Sequence, residues 1–163
     1  IMPLILGTLQ AELVGILDKP KGNPVPTPVA MDIAKAYLNF CSAGIDSGGS
    51  PFVAMPGSSA LGQDLDAVLS KTNAAGTITA LDMAKAFDSC LQTFKTSWQT
   101  TIVTAPGLGA LSSELSNLFS STKPSAMLFA QDLAKAINNF TAAAIVSGMI
   151  PGSPPVPYTG PIS

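Results

Sequence analysis

The chain has 163 residues, of which 47% are hydrophobic and only 11% charged, and its formal net charge is −2. Disordered proteins have the opposite composition and ordinary domains carry about 25% charged residues, so the chain is predicted to fold and to cover much of its surface. The sequence contains no histidine and no arginine. It therefore lacks the commonest general base, the commonest transition-metal ligand and the planar fork that binds phosphate. These features predict a protein that is not an enzyme, holds no cofactor or metal, and does not bind nucleic acid.

The cysteines and the apolar runs indicate whether disulfide bonds, a zinc site or a membrane span are to be expected. The two cysteines, Cys41 and Cys90, are too few and too far apart for a disulfide framework or a zinc site, so both are predicted to be small buried residues. No apolar run approaches the roughly 20 residues of a membrane span. The sequence therefore predicts no transmembrane segment.

The first element of each repeating stretch is a short amphipathic helix, which we call helix A. Its apolar residues follow the i, i+4, i+7, i+8 spacing of a helix stripe. They are Leu9, Leu13, Ile16 and Leu17, then Leu61, Leu65, Val68 and Leu69, and finally Leu111, Leu115, Leu118 and Phe119. An acidic residue near the start of each stretch favours the helix dipole. Helix A is predicted to be about three turns long.

The second element, helix B, contains the pentapeptide Asp-x-Ala-Lys-Ala in every copy. The three aspartates are Asp32, Asp82 and Asp132, which are spaced by 50 residues. Apolar residues that include Leu81, Phe94 and Trp98 in the second copy and Leu128 in the third are assigned to one buried face, and the helix is predicted to run five or more turns. The predicted N-caps are Thr27, Thr79 and Ser125.

The repeated pentapeptide is interpreted as a structural joint. Its Asp and Lys are three residues apart, on one helix face and in the acid-first order that favours an ion pair. The alanines that flank each Lys would let another helix approach closely. As a binding site, a carboxylate and an ammonium that neutralise each other would be poor. The residues assigned to the joint are Asp32, Lys35, Asp82, Lys85, Asp132 and Lys135.

The domain organisation follows from this period. Residues 1–150 are predicted to be one helical domain of three repeats, with bounds at 1–57, 58–107 and 108–150. Each repeat is a hairpin of helices A and B, and an amphipathic hairpin cannot bury its apolar face alone. The predicted fold class is therefore all-α, with the three hairpins packed as a pseudo-threefold six-helix bundle.

The segment 151–163 departs from the repeat. Its sequence, PGSPPVPYTGPIS, cannot form a helix and is predicted to be an extended, Pro-rich C-terminal arm. Val156, Tyr158 and Ile162 would be its apolar and aromatic anchors. The arm is expected to contact something outside the hairpin that it follows, and a neighbouring chain is the favoured candidate.

The tandem Ala-rich hairpins of AKAxxxF type, the low charge and the Pro/Gly-rich arm resemble small accessory structural proteins of tailed-bacteriophage virions. This resemblance implies a structural or assembly subunit of a capsid or tail, located in the virion, whose partners are copies of itself or a larger protein assembly. The alternative is a secreted or periplasmic helical module that binds an apolar ligand between its hairpins. Ligand binding would require a cavity, and the many Ala, Ser and Gly residues on the helix B faces favour close helix contact instead.

Overall fold

The computed structural model describes residues 4–18, 26–71, 75–100, 103–121 and 125–163. Within this part of the chain there are six helices and four short strands. The helices are α1 (Leu6–Leu17), α2 (Pro26–Ser42), α3 (Ser58–Leu69), α4 (Gly76–Leu91), α5 (Leu108–Ser120) and α6 (Ala126–Ala142). The strands are β1 (Phe52–Ala54), β2 (Lys95–Thr96), β3 (Ile145–Ile150) and β4 (Val156–Pro161).

The helices occur as three A–B hairpins, and the hairpins form a closed ring. In every hairpin helix A packs on its own helix B, and helix B packs more extensively on helix A of the following hairpin. The ring closes because α6 packs on α1. Both helices of each hairpin thereby bury their apolar stripes, which a single hairpin could not do.

The axis of the ring is formed by large side chains at equivalent positions of the three B helices. Tyr37, Phe87 and Ile137 are completely buried. The rings of Tyr37 and Phe87 meet edge to face, with centroids 5.0 Å apart. The hydroxyl of Tyr37 lies 3.0 Å from Oγ1 of Thr141 on α6. One tyrosine of the first hairpin thus contacts both other hairpins. The segments that follow the three B helices also pair with one another, since Phe52 pairs with Thr96, Gln99 with Gly148 and Ile45 with Ser163, so the three B helices end on the same side of the ring.

The prediction of an all-α fold is wrong. The described residues also form two antiparallel two-stranded sheets, β1–β2 and β3–β4, so the fold is mixed. The B helices end at Ser42, Leu91 and Ala142, earlier than predicted. Some of the residues that follow them, such as Ala144 and Val146, are apolar and buried, as in a helix stripe, but their backbones pair with other segments of the chain. A buried apolar pattern does not distinguish the end of a helix from a buried strand. Helix B was therefore predicted to be longer than it is.

The helix starts agree only in part with the predicted caps. Ser125 is the N-cap of α6, and its hydroxyl accepts a hydrogen bond from the backbone N–H of Leu128 at 3.2 Å. The prediction for Thr79 is wrong, since α4 already begins at Gly76 and its N-cap is Ala75. The side chain of Thr27 lies outside the described residues. Within the described ranges, none of the helices is long and apolar enough to cross a bilayer.

We expect Tyr37→Phe to lower the free energy of unfolding by about 0.5–1.5 kcal/mol, because it deletes one buried hydrogen bond and leaves the ring packing unchanged. Thr141 keeps its second bond, from Oγ1 to the carbonyl of Ile137 at 2.9 Å. Urea denaturation of the two proteins gives the difference. A variant as stable as the parent would show that the inter-hairpin hydrogen bond contributes nothing to the ring.

Candidate functional site

The repeated Asp and Lys side chains line three equivalent grooves, each between helix A and helix B of one hairpin. In the second hairpin the groove is lined by Asp64 and Lys71 from the α3 side and by Asp82 and Lys85 from α4. Equivalent residues line the other two grooves, namely Glu12, Asp32 and Lys35, and Glu114, Asp132 and Lys135. All three lysines of the pentapeptide are exposed. The structure therefore places the predicted joint residues at the rim of the hairpin contact.

The two alanines of the pentapeptide contact different neighbours. Successive helical residues are rotated by about 100°, so the residues on either side of a lysine point in nearly opposite directions. A Cβ added to Gly62 of α3 would lie 3.6 Å from Cβ of Ala34, so Ala34 faces the following hairpin. Ala36 instead lines the groove with Glu12 and Ile16 of its own helix A. Helix B thus approaches two helices through small side chains, while its lysine stays in solvent.

The closest ion pair of the pentapeptide in the second hairpin is not the predicted one. Asp82 Oδ2 accepts a hydrogen bond from Nζ of Lys71 at 2.8 Å, and Lys71 lies just after α3. This bond is the main cause that lowers the pKa of Asp82 below its usual value, and the charge of Lys85 is a smaller cause. The aspartate therefore connects the two helices of its hairpin across the groove. Within helix B itself, the attraction of Lys85 is secondary.

The C-terminal arm folds back onto its own chain. Its strand β4 pairs with β3 along the full length of both strands, from Ile145 opposite Pro161 to Ile150 opposite Val156. Beyond β4 the backbone of Ser163 exchanges two hydrogen bonds with Ile45 of the first hairpin, at 2.8 and 3.0 Å. The arm therefore connects the third hairpin to the first within one molecule.

The three predicted anchors of the arm have different surroundings. Ile162 is buried, with 2% of its surface exposed. Tyr158 is half-buried, and Val156 is 55% exposed. Ile162 therefore packs in the core of its own chain, and only Val156 presents most of its side chain to solvent.

A buried carboxylate holds the arm in place. Asp46 follows α2, is only 2% exposed, and accepts four hydrogen bonds from described groups. Oδ1 accepts the backbone N–H groups of Gly48 and Ser50 at 3.0 and 2.8 Å. Oδ2 accepts the hydroxyls of Thr96, at 2.5 Å, and of Tyr158. Because a buried charge is costly unless it is fully hydrogen-bonded, these donors commit Asp46 to a structural role.

Tyr158 is seated between two glycines that leave room for its ring. A Cβ on Gly48 would lie 2.7 Å from the ring, and one on Gly148 would lie within 2.5 Å of the ring's Cζ. Burial and the hydrogen bond to Asp46 raise the pKa of Tyr158 from 10.0 to about 12. The neutral hydroxyl is therefore the form that the folded chain stabilises.

Both cysteines are buried free thiols, and this prediction is confirmed. Burial is the main cause that raises the pKa of Cys41, and it also raises the pKa of Cys90 to about 12. A thiol becomes a nucleophile or metal ligand only as the thiolate, which these surroundings disfavour. Among the described residues, no three Asp, Glu, Cys or His side chains are grouped closely enough to bind a metal ion.

One cavity, of about 480 Å³, lies between the start of α1 and the end of α2. We call it the α1–α2 cavity. Its walls include Ile5, Phe40, Ile45 and Phe52, and Thr8 is one of its polar residues. It has the size of a small-molecule site, and none of its described lining residues is charged.

The sequence did not predict the hydrogen-bonded carboxylate of Asp46 or the α1–α2 cavity. Asp46 occupies the same place in the 50-residue period as Thr96 and Val146. An acidic residue at a position where the other two repeats have uncharged residues indicated a special role for Asp46. For the cavity, the signal was Ile5 at the N-cap of helix A, where the other two hairpins have Gly57 and Gly107. Neither signal shows by itself which groups surround the residue.

Comparison of the chain with protein-family models, curated proteins and solved structures finds no match. The interpretation of the site therefore depends on its geometry. In the described part of the chain, that geometry includes the three rim grooves, the buried carboxylate of Asp46 with its donors, and the α1–α2 cavity.

The partner of Asp82 can be tested by exchanging either neighbouring lysine. We expect Lys71→Gln to raise the carboxyl pKa of Asp82, because it removes the hydrogen bond that lowers it. Lys85→Gln is the matched control, and it should raise the same pKa by less. Carboxyl-carbon NMR titration measures both values. An equal or larger effect of Lys85→Gln would assign the ion pair to helix B alone.

The arm contact predicts a loss of stability at high pH. The pKa of Tyr158 is about 12 in the folded chain and 10.0 as its ordinary value. A raised folded pKa contributes stability that is fully present below pH 10 and is lost as the pH rises through 12. Tyr37 and both cysteines also have raised pKa values, so they act in the same direction.

We therefore expect Tyr158→Phe to be less stable than the parent at pH 8 and to lose less stability between pH 10 and pH 12. Chemical denaturation across this range provides the comparison. Parallel pH profiles for the two proteins would contradict the assigned role of the Tyr158 hydroxyl.

Proposed function

We propose that this chain is a non-catalytic assembly subunit that functions by packing against copies of itself or a larger protein assembly. The observation that carries the proposal is the exposed apolar surface of a charge-poor ring, where large apolar residues are exposed near the starts of the B helices and also in and beside the strands. We further propose that the assembly is a phage capsid or tail, which would locate the protein in the virion. This second step is supported by the resemblance of the hairpins and their composition to accessory virion proteins.

The exposed apolar residues lie in the first two turns of the B helices, and we call them the apolar collar. Its members are Met31, Ile78, Leu81, Met127 and Leu128, which are 37–54% exposed. Leu81 and Leu128 had been assigned to the buried face, so that part of the prediction is wrong. All five lie near the starts of the B helices, whereas the sheets are formed by the segments that follow the ends of these helices.

The collar favours association of the chain with other protein surfaces, because the protein carries few charges that would oppose association. Exposed apolar side chains scattered singly are normal, whereas a group at one end marks an interaction surface. With 11% charged residues, electrostatic repulsion between copies is weak. Each of the three hairpins contributes at least one residue to the collar, so a partner could contact all three hairpins.

We expect the parent protein to self-associate with rising concentration, and Ile78→Lys combined with Leu128→Lys to weaken this association. The reason is that burial of a lysine charge would oppose contact between collars. Sedimentation velocity over a range of concentrations measures the effect.

The matched control is Val53→Lys, since Val53 is 59% exposed but lies in β1 at the opposite end. The control should associate like the parent. A parent protein that stays monomeric at every concentration would rule out packing between copies. Equal weakening by the control would remove the collar from the explanation.

A further inference from the structure

Among the described residues, the α1–α2 cavity lies in the first hairpin, whereas the N-cap glycines of the other two hairpins pack closely on the chain at the end of helix B. At the equivalent place in the second hairpin, Gly57 packs on the end of α4, and an added Cβ would lie 2.7 Å from Oγ1 of Thr93. In the third hairpin Gly107 packs on Phe140 and Ala143 at the end of α6. The two glycines thus bring the chain before helix A directly against the end of helix B. This contact fills the space.

In the first hairpin the N-cap residue is Ile5, which is 39% exposed. Its neighbours on α2 would be Phe40 and Ala43, which are equivalent to Phe140 and Ala143. These residues instead line the cavity together with Ile5. A branched side chain at this position cannot make the close contact that glycine makes, so the walls stay apart.

The chemistry of the cavity defines what it can hold. Its walls are aromatic and aliphatic, and its polar groups are the neutral side chains of Thr8, Asn39 and Ser42. Nδ2 of Asn39 also donates to Oε1 of Glu12 at 3.3 Å, which places a carboxylate beside the rim. That carboxylate would repel an anionic head group, and no described lining residue offers a positive charge to bind one.

We propose that the α1–α2 cavity binds a small, uncharged, mainly apolar molecule with one hydrogen-bonding end. The apolar part lies between Phe40, Ile45 and Phe52, and the polar end meets Thr8 or Asn39 at the rim. The site goes beyond the assembly role, because it lies in one hairpin and at the opposite end of the ring from the apolar collar. It also differs from the expected ligand site between hairpins, because its walls belong to the first hairpin and to the segment that follows it.

The test uses 1-octanol and octanoate, which share a chain length and differ in the charge of the head group at pH 7. We expect titration of the full chain, followed by methyl and aromatic NMR, to show saturable binding of 1-octanol with shifts at Phe40, Ile45 and Phe52. Octanoate should bind about tenfold more weakly or worse, because of the carboxylate of Glu12. Equal binding of the two ligands would overturn the proposed selectivity.

A pair of equivalent substitutions locates the site. Ala43→Leu places a larger side chain in the cavity and should weaken 1-octanol binding by about tenfold or more. Ala143→Leu makes the same change in the third hairpin and should leave the affinity unchanged. Thermal melts of both variants establish that they are folded. Equal effects of the two substitutions, or no saturable binding by the parent, would overturn the proposal.

Residues 1–3 lie outside the described residues and adjoin this end of α1. A chain that begins at Leu4 therefore provides the last comparison. Equal affinity of the shortened and full chains for 1-octanol supports an open site. If only the shortened chain binds, the cavity is not available to ligands in the protein, and the proposal fails.

Discussion

The contact of Tyr37 with the other two hairpins is the constraint on which the ring depends. Its aromatic ring packs edge to face on Phe87, and its hydroxyl bonds to Thr141, so one side chain positions all three B helices. Large groups can meet at this axis only if the helices also come close elsewhere. The alanines of the repeated pentapeptide allow that approach, one towards the following hairpin and one towards helix A of the same hairpin. In the first hairpin, the two alanines that flank the lysine thus pack on two different helices.

The packing of α6 on α1 closes the helices into a ring, but the backbone junction beside this contact differs from the other two. Segments of the chain connect the first hairpin to the second and the second to the third, but the third returns to the first through the C-terminal arm. The two hydrogen bonds between Ser163 and Ile45 reproduce those between Thr104 and Ile145, where a covalent linker runs. Asp46 then fixes Tyr158 of the arm at this junction. Of the three equivalent positions, which hold Asp46, Thr96 and Val146, only the first has a carboxylate.

Departures from threefold symmetry and from ordinary burial support the two functional inferences. The apolar collar places five large apolar side chains in solvent near the starts of the B helices. The α1–α2 cavity arises where an isoleucine replaces a glycine at one N-cap. The two features lie at opposite ends of the ring. A surface used in assembly could therefore be covered without closing the cavity.

The sequence by itself determined the number, order and pairing of the helices, because amphipathic stripes and a 50-residue period depend on local spacing. It also placed the pentapeptide at a packing contact and the two cysteines in the interior. Only the tertiary structure decided where the B helices end, because the buried residues after them pair through backbones that are distant in sequence. The same reason applies to Asp46, whose donors Thr96 and Tyr158 come from other segments, and to the partner of Asp82, which lies on the opposite side of a groove. The α1–α2 cavity also depends on tertiary structure, because its size is set by the distance between the start of α1 and the end of α2. The spacing of residues along the chain indicates which of them lie on the same face of a helix. The distances between the helices are set only when all three hairpins pack together.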